Sequence, residues 1–298
     1  MTSNIIITGS GGMLGNALLE KLASNKNFTV FAITSQKARL ESHFVGFDNV
    51  KVLGSLSEIE VDIDICINCS FPRTSDGEAL AQAFNHTRKM IESLEKVNCQ
   101  NFINISSQSV YNQSGELIQT ELDDVNPGNL YAMSKFGIEN LVEAKCSAYG
   151  IQFTNLRLGS LISNKFDQRM INRFYRKIEA REIIKIDNGE AKVSYLHIED
   201  AVSGLERLVN LVIAGDNYSQ LYNFSNQDWM YVAELAIECN NYAEQIEIGS
   251  TSLKFTEKIS NYNNVIDSSK LFKDIAWEPE YKMIEIVHKI FNELSGVI

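Results

Sequence analysis

Short apolar runs alternate with longer amphipathic stretches through the first half of the chain. Runs of strand length fall at residues 5–8, 29–33, 50–53, 63–69, 101–105 and 153–158. Between them, apolar positions recur at helical spacing: Leu14, Ala17, Leu18 and Leu22; then Leu80, Ala83 and Phe84 leading to Met90, Ile91 and Leu94; then residues 136–149. Strand-length runs with helical segments between them predict a parallel sheet covered on both faces. Six such strands by residue 158 match a doubly wound nucleotide-binding sheet.

Beyond residue 158 the pattern loosens. A helix is predicted at 167–178, with Met170, Ile171, Phe174 and Ile178 on one side and Arg169, Arg173, Arg176 and Lys177 on the other. A short strand at 193–196, a helix at 200–212, a strand at 221–225 and helices at 230–238 and 281–294 complete the chain. This tail is expected to form a lid over the open edge of the sheet. With only three prolines, no internal repeat and no Ser/Gly/Pro-rich linker, a second unit should pack closely on the first.

Charge and composition narrow the partners. A net charge of -11, from 27 basic and 38 acidic residues, argues against nucleic acid or an anionic membrane surface, both of which are bound through clustered Lys and Arg. The opening residues carry neither a basic leader nor a long apolar stretch, and no segment approaches the roughly 20 apolar residues of a membrane helix. A cytoplasmic protein is the expectation. The five cysteines include a C-x-x-C at Cys66 and Cys69, but within a strand the odd separation sends the two thiols to opposite faces. They read as core cysteines, not as a metal or redox pair.

Three segments carry candidate chemistry. Directly after the first strand, Gly9, Gly12 and Gly15 recur at spacings of three, although a strict G-x-G-x-x-G is not met because its sixth place is Leu14. A turn of this kind, with Ser10, Met13 and Leu14, lets backbone N–H groups and a helix N-terminus face a pyrophosphate. At the end of the second strand no carboxylate stands ready for a ribose 2'-hydroxyl; Thr34, Ser35, Lys37 and Arg39 occur there instead. Hydroxyls and cations at that place favour NADP over NAD. The third segment is Tyr131 with Lys135 four residues on, and Ser106-Ser107 upstream. One helical turn puts phenol and ammonium on one face. A tyrosine acting as base at neutral pH needs its pKa lowered by about three units, roughly 4 kcal/mol, and Lys135 is placed to supply the charge.

In their order, Thr8-Gly9-x-x-Gly12-x-x-Gly15, Ser106-Ser107-Gln-Ser-Val110-Tyr111 and Tyr131-x-x-x-Lys135 resemble the extended short-chain dehydrogenase/reductase family, the branch with nucleotide-sugar epimerases, dehydratases and reductases. Looser echoes are Asn85, Pro127, Arg157, His197-Ile-Glu-Asp200, Asp267-Ser-Ser-Lys270 and Trp277-Glu-Pro279. The resemblance implies a Rossmann-type α/β domain at 1–158, to which 195–225 returns, and a smaller substrate-binding α/β region at 159–194 and 226–298. It implies Tyr131 as acid or base, Lys135 lowering its pKa and holding the nicotinamide ribose, and Ser107 bonding the reacting oxygen, with Ser106 and Ser109 structural. Cys69, Ser70 and Phe71 stand where the family's small residues line the cofactor, and Asn85 falls near the nicotinamide.

Ser55, Leu158 and Ala276 depart from the family pattern at places that usually hold an acid, a proline and a glycine. The Asp-Glu pair of the dehydratases is replaced by Gln108 and Ser109, which disfavours elimination. Reduction of a 4-keto sugar, or C4 epimerisation, remains, with reduction ahead on the NADP reading. The alternatives are a reductase of a free ketone or aldehyde and a non-catalytic NAD(P) sensor. Arg73, Arg169 and Arg173 are candidate substrate residues, since guanidinium forks match phosphate oxygens. His197 beside Glu199 and Asp200 reads as a helix cap, and no metal is expected. By analogy, the helices around 80–97 and 131–149 provide a face for a homodimer.

Overall fold

The computed structural model describes residues 2–166, 168–256 and 261–296. The first half runs β1 (Ser3–Thr8), α1 (Met13–Ala23), β2 (Phe28–Ile33), α2 (Lys37–His43), β3 (Val50–Leu53), β4 (Ile65–Asn68), α3 (Gly77–Leu94), β5 (Asn101–Ile105), α4 (Leu130–Tyr149) and β6 (Gln152–Leu158). The tail adds β7 (Leu161–Ile162), α5 (Met170–Glu179), β8 (Ile184–Ile186), β9 (Lys192–Val193), β10 (Leu196–His197), α6 (Ile198–Ile213), β11 (Leu221–Phe224), β12 (Met230–Tyr231), α7 (Val232–Gln245), β13 (Leu253–Phe255), α8 (Ser269–Ile275) and α9 (Met283–Ser295).

Seven strands form one sheet in the order β11-β6-β5-β4-β1-β2-β3, every pair parallel. The order reverses between β1 and β4, the place where doubly wound sheets open a crevice at the carboxyl ends of their strands. Alternate residues feed opposite faces. Ile5, Ile7, Ile65 and Ile67 join Leu18, Leu22, Leu205 and Leu208 under α1 and α6, whereas Ile6 and Cys66 join Met90, Ile91, Ile138 and Val142 under α3 and α4. Cys66 and Cys69 accordingly pack on opposite faces of the sheet, and all five thiols are free.

A second apolar core lies in the tail. The stripe Ile171, Phe174, Tyr175 and Ile178 of α5 packs with Leu235 and Cys239 of α7 and with Ile286 and Ile290 of α9. The tail is not of one piece, however: Leu271, Phe272 and Ile275 of α8 pack into the first core beside β11. The predicted strand at 193–196 is split in two. The Ser194 amide donates to the Asn264 side chain (2.7 Å), and its hydroxyl donates to the carbonyls of Asn226 (2.9 Å) and Asp228 (2.8 Å), which takes it out of any ladder. Asp167, the predicted first residue of the helix at 167–178, lies outside the described residues. Among the described residues no helix is long and apolar enough to cross a membrane.

Candidate active site

The glycine turn is built by steric exclusion. Gly9 has φ +67° and packs on the backbone of Cys69 and Ser70, where a Cβ would come within 2.8 Å. At Gly15 a Cβ would lie 2.4 Å from the Gly9 carbonyl oxygen. Both places require glycine, and the close packing lets α1 begin directly behind the loop. Gly12 caps α1 with no side-chain hydrogen bond and no acidic residue in the first turn, so its first amides and positive dipole end are left for an anion. Ser10 is spent on structure: its buried hydroxyl donates to the carbonyl of Ile33 at 2.9 Å. Met13 accepts a hydrogen bond from Ser163 on its sulfur at 3.4 Å, tying the turn to the segment after β7.

The end of β2 differs from its predicted form. Lys37 opens the short helix α2 and pairs with Glu58 at 3.5 Å, an acid brought there by a single turn after β3. The Lys37 charge is therefore partly spent within the protein, and a carboxylate faces a region predicted to lack one. The preference for NADP loses its support. Thr34 is buried and its hydroxyl accepts from the Gln36 amide at 3.0 Å, while Ser35 is exposed. Arg39 opens onto a cavity of about 820 Å³ beside Gly11, Gly12 and Met13.

A hydrogen-bonded side-chain ladder crosses the ends of four strands. Thr8 donates to Asn68 (2.8 Å), Asn68 to Asn104 (3.1 Å) and Asn104 to Asn155 (2.8 Å), all buried. Beside it, Arg157 on β6 grips Glu139 of α4 with 2.8 Å at the closest approach, both side chains about 5% exposed. Glu139 also accepts from Ser106 at 2.5 Å, and Arg157 donates to the Tyr111 hydroxyl at 2.8 Å. These bonds fix α4 against the end of β5. Sequence reading identified Arg157 but missed Glu139 and the three asparagines, whose only signal is a polar residue inside an apolar strand or helix face.

Ser107, Tyr131 and Lys135 line one cavity of about 740 Å³ at the carboxyl end of the sheet. Asn129 caps α4 by accepting from the Ala132 amide at 2.9 Å, which starts the helix so that Tyr131 and Lys135 both point inward. The Ser107 hydroxyl accepts from Ser109, from its amide at 3.2 Å and its hydroxyl at 2.9 Å, and its side chain also hydrogen-bonds with the Tyr131 phenol. The electrostatics reverse one expectation. Lys135 donates to the Ile105 carbonyl at 2.7 Å and lies 4.3 Å from the centre of the Phe71 ring, and that ring meets Tyr131 edge-on at 6.0 Å. Burial brings the Lys135 ammonium down to about 7, opposed by Cys69 and Glu139. Burial also pushes the Tyr131 phenol up, opposed by the Ser107 hydrogen bond and by the charges of Arg73 and Arg169. Two arginines thus act on the phenol, cations that the Tyr131–Lys135 spacing did not reveal.

The remaining predicted residues divide between the cavity and the solvent. Cys69, Phe71, Arg73 and Arg169 line the cavity. Ser70, half-buried, donates its amide to Asn68 at 3.2 Å. Asn85 is exposed on α3, because the helical phase that buries Leu80, Thr87 and Ile91 turns it outward. Arg173 is exposed on α5 opposite the apolar stripe, whereas Arg169, one residue before that helix, turns inward. His197 caps α6 by accepting from the Glu199 amide at 3.4 Å. Among the described residues, no group of three His, Cys, Asp or Glu is arranged to hold a metal ion.

These parts define a Rossmann-type protein with a Tyr-x-x-x-Lys helix laid beside a serine-bearing strand end. The chain belongs to the NAD dependent epimerase/dehydratase family, whose model matches residues 5–223, and is an enzyme of the extended short-chain dehydrogenase/reductase type. It is 22% identical over 293 residues to the CDP-abequose synthase of Yersinia pseudotuberculosis, covering 95% of this chain and 94% of that protein. Among solved structures it resembles the UDP-N-acetylglucosamine 4-epimerase of Bacillus cereus (TM-score 0.80, 22% identity, 100% of this chain and 98% of that one). It also resembles a UDP-glucuronic acid 4-epimerase of Bacillus cereus, solved with NAD and a fluorinated UDP-glucuronic acid (TM-score 0.80, 17% identity, 99% of this chain and 100% of that one).

Proposed function

We propose that this enzyme transfers hydride at C4 of a nucleotide-activated sugar, in reduction of a 4-keto group or in C4 epimerisation; with the NADP preference gone, reduction no longer stands ahead. The observation that carries the reading is the meeting of the Tyr131 phenol, the Ser107 hydroxyl and the buried Lys135 ammonium in one cavity at the sheet's carboxyl end. The relatives are named for nucleotide sugars that they make or interconvert, which supports the same class.

The glycine turn fits a dinucleotide, since side chains at Gly9 and Gly15 would fill the space that brings backbone amides to a pyrophosphate. Gly12, Met13, Leu14 and Gly15 would hold that group, Thr34 and Ser35 the adenosine ribose, and Lys135 the nicotinamide ribose. A nicotinamide dinucleotide, when bound, gives or takes the hydride. With Lys37 engaged by Glu58, we assign NAD as the cofactor; a lower KM for NADPH than for NADH would overturn this.

Tyr131 does the proton work. Its raised pKa keeps the phenol protonated at neutral pH, the form that donates to a ketone oxygen as that oxygen gains negative charge. Ser107, against the phenol, donates a second hydrogen bond to the same oxygen. Lys135, anchored on the Ile105 carbonyl, stands beside both. Gln108 donates to the Ser160 hydroxyl at 3.1 Å and Ser109 to Ser107. Neither can take a ring proton, which supports hydride exchange without elimination. The second core, around α5, α7 and α9, serves as the substrate-binding region, and the nucleotide-binding domain comprises residues 1–158 and 195–225.

Tyr131→Phe removes the proton donor without changing shape. Turnover of UDP-, CDP- or dTDP-linked sugars should fall to background while NADH still quenches protein fluorescence on binding. Undiminished turnover in that variant refutes the assignment. A melting series with UDP, GDP, dTDP and CDP should show one diphosphate stabilising the protein by mass action. No shift with any of them would favour a small free carbonyl substrate.

A further inference from the structure

The catalytic cavity is strongly cationic in a chain whose net charge is -11. Arg73, Lys135 and Arg169 line it, and no Asp or Glu does among the described residues. Its other polar lining is neutral, chiefly serine and threonine hydroxyls, the amides of Gln108, Gln113 and Asn129, and two phenols. Lys135 has an acceptor in the Ile105 carbonyl. The arginines are different. Arg169 is largely enclosed between Phe166 (5.4 Å to the ring centre) and Tyr195 (6.0 Å), and its buried Nε has no hydrogen-bond partner among the described residues. A buried guanidinium N–H left unpaired is destabilising unless a ligand completes it. Burial and the charge of Arg73 bring Arg169 down to about 10, which leaves it cationic at neutral pH.

The two arginines come from different walls, Arg73 from the segment after β4 and Arg169 from the segment before α5, and Tyr131 feels the charge of both. Both therefore share the cavity of the reacting phenol. A diphosphate on the anomeric carbon stands on the far side of the sugar ring from C4. A carboxylate on the carbon next to C4 stands beside the phenol. Accepting the nucleotide-sugar reading above, we propose that the sugar carries a carboxylate adjacent to the reacting carbon, a uronic-acid-type substrate, and that Arg169, with Arg73, binds it. The bond is a charge-assisted fork that a neutral hydroxymethyl group cannot replace.

The test uses two matched pairs that differ only by carboxylate for hydroxymethyl: UDP-glucuronic acid against UDP-glucose, and free D-glucuronate against D-glucose. Each is titrated by thermal shift into the NADH-loaded enzyme, in wild type, Arg169→Gln and Arg73→Gln. The acid of at least one pair should bind about tenfold or more tightly than its neutral partner, and that preference should collapse in Arg169→Gln and shrink in Arg73→Gln. Arg73 is exposed, so its variant reports even if the loop before α5 does not tolerate substitution. Equal shifts within both pairs, including no shift with any member, overturn the carboxylate assignment. Loss of UDP stabilisation in Arg169→Gln without an acid preference in wild type overturns it too, and reassigns the cation to the diphosphate. The nucleotide-sugar reading fails separately, through undiminished turnover in Tyr131→Phe or the absence of any nucleoside diphosphate shift.

Discussion

Replacing Lys135 with methionine should make the folded protein more stable at neutral pH while removing its activity. Lys135 is 5% exposed, and burial lowers its pKa from 10.5 to about 7. Between those values the unfolded chain holds a proton on this lysine that the folded chain does not, so stability rises with pH from 7 to 10.5 and is lost as pH falls through that window. Each pH unit is worth about 1.4 kcal/mol. The lysine therefore costs the folded state on the order of 4 kcal/mol at pH 7 and about 2 kcal/mol at pH 9. Methionine fills a similar volume and carries no charge. The substitution also strips the Ile105 carbonyl of its 2.7 Å donor and removes the contact with Phe71, losses of about 1–3 kcal/mol that do not vary with pH.

The discriminating quantity is thus the change with pH. Urea unfolding of wild type and Lys135→Met at pH 7 and pH 9 should give a stability difference that moves by about 2 kcal/mol in favour of wild type at the higher pH. Other titrating groups are common to both proteins and cancel. A difference that stays constant between the two pH values, or moves the other way, refutes the claim that this ammonium is held against its hydration preference.

Two further outcomes test the scaffold. Gly15→Ala places a methyl 2.4 Å from the Gly9 carbonyl oxygen, so the turn must open; NADH affinity, read by fluorescence titration, should fall at least about tenfold, or about 1.4 kcal/mol. Unchanged affinity would mean that the loop's close packing is unrelated to the cofactor. Glu139→Gln leaves the buried Arg157 charge uncompensated and should destabilise the protein by about 3–5 kcal/mol in equilibrium unfolding, with a loss under about 1 kcal/mol contradicting the clamp described for α4.

The nucleotide-binding half was legible because its signals are local. A period of two in Ile5 to Ile7 and in Ile65 to Ile67 assigns residues to the faces of a parallel sheet, helical periods mark α3 and α4, and Gly15 is forced by the backbone of Gly9 in the same turn, whereas Gly9 itself is forced by Cys69 and Ser70 across the sheet. The pairing of Tyr131 with Lys135 on one helix face was readable in the same way. The tail was harder to read, because its strands β7 to β10 are two or three residues long and are set by partners such as Asn264, 70 residues from Ser194. Asn85 and Arg173 turned out to be exposed, which a motif position cannot foretell because it does not reveal which way a helix turns at that residue.

Sequence alone determined the sheet, the glycine turn and the three residues proposed to work on the substrate, since each depends on spacing along one or two elements. Tertiary structure decided their electrostatics. Glu58 reached Lys37 across separate segments, Phe71 came to touch both Lys135 and Tyr131, and Arg73 and Arg169 came to line the phenol's cavity from distant loops. A pKa depends on burial and on charges near in space, and spacing along the chain encodes neither.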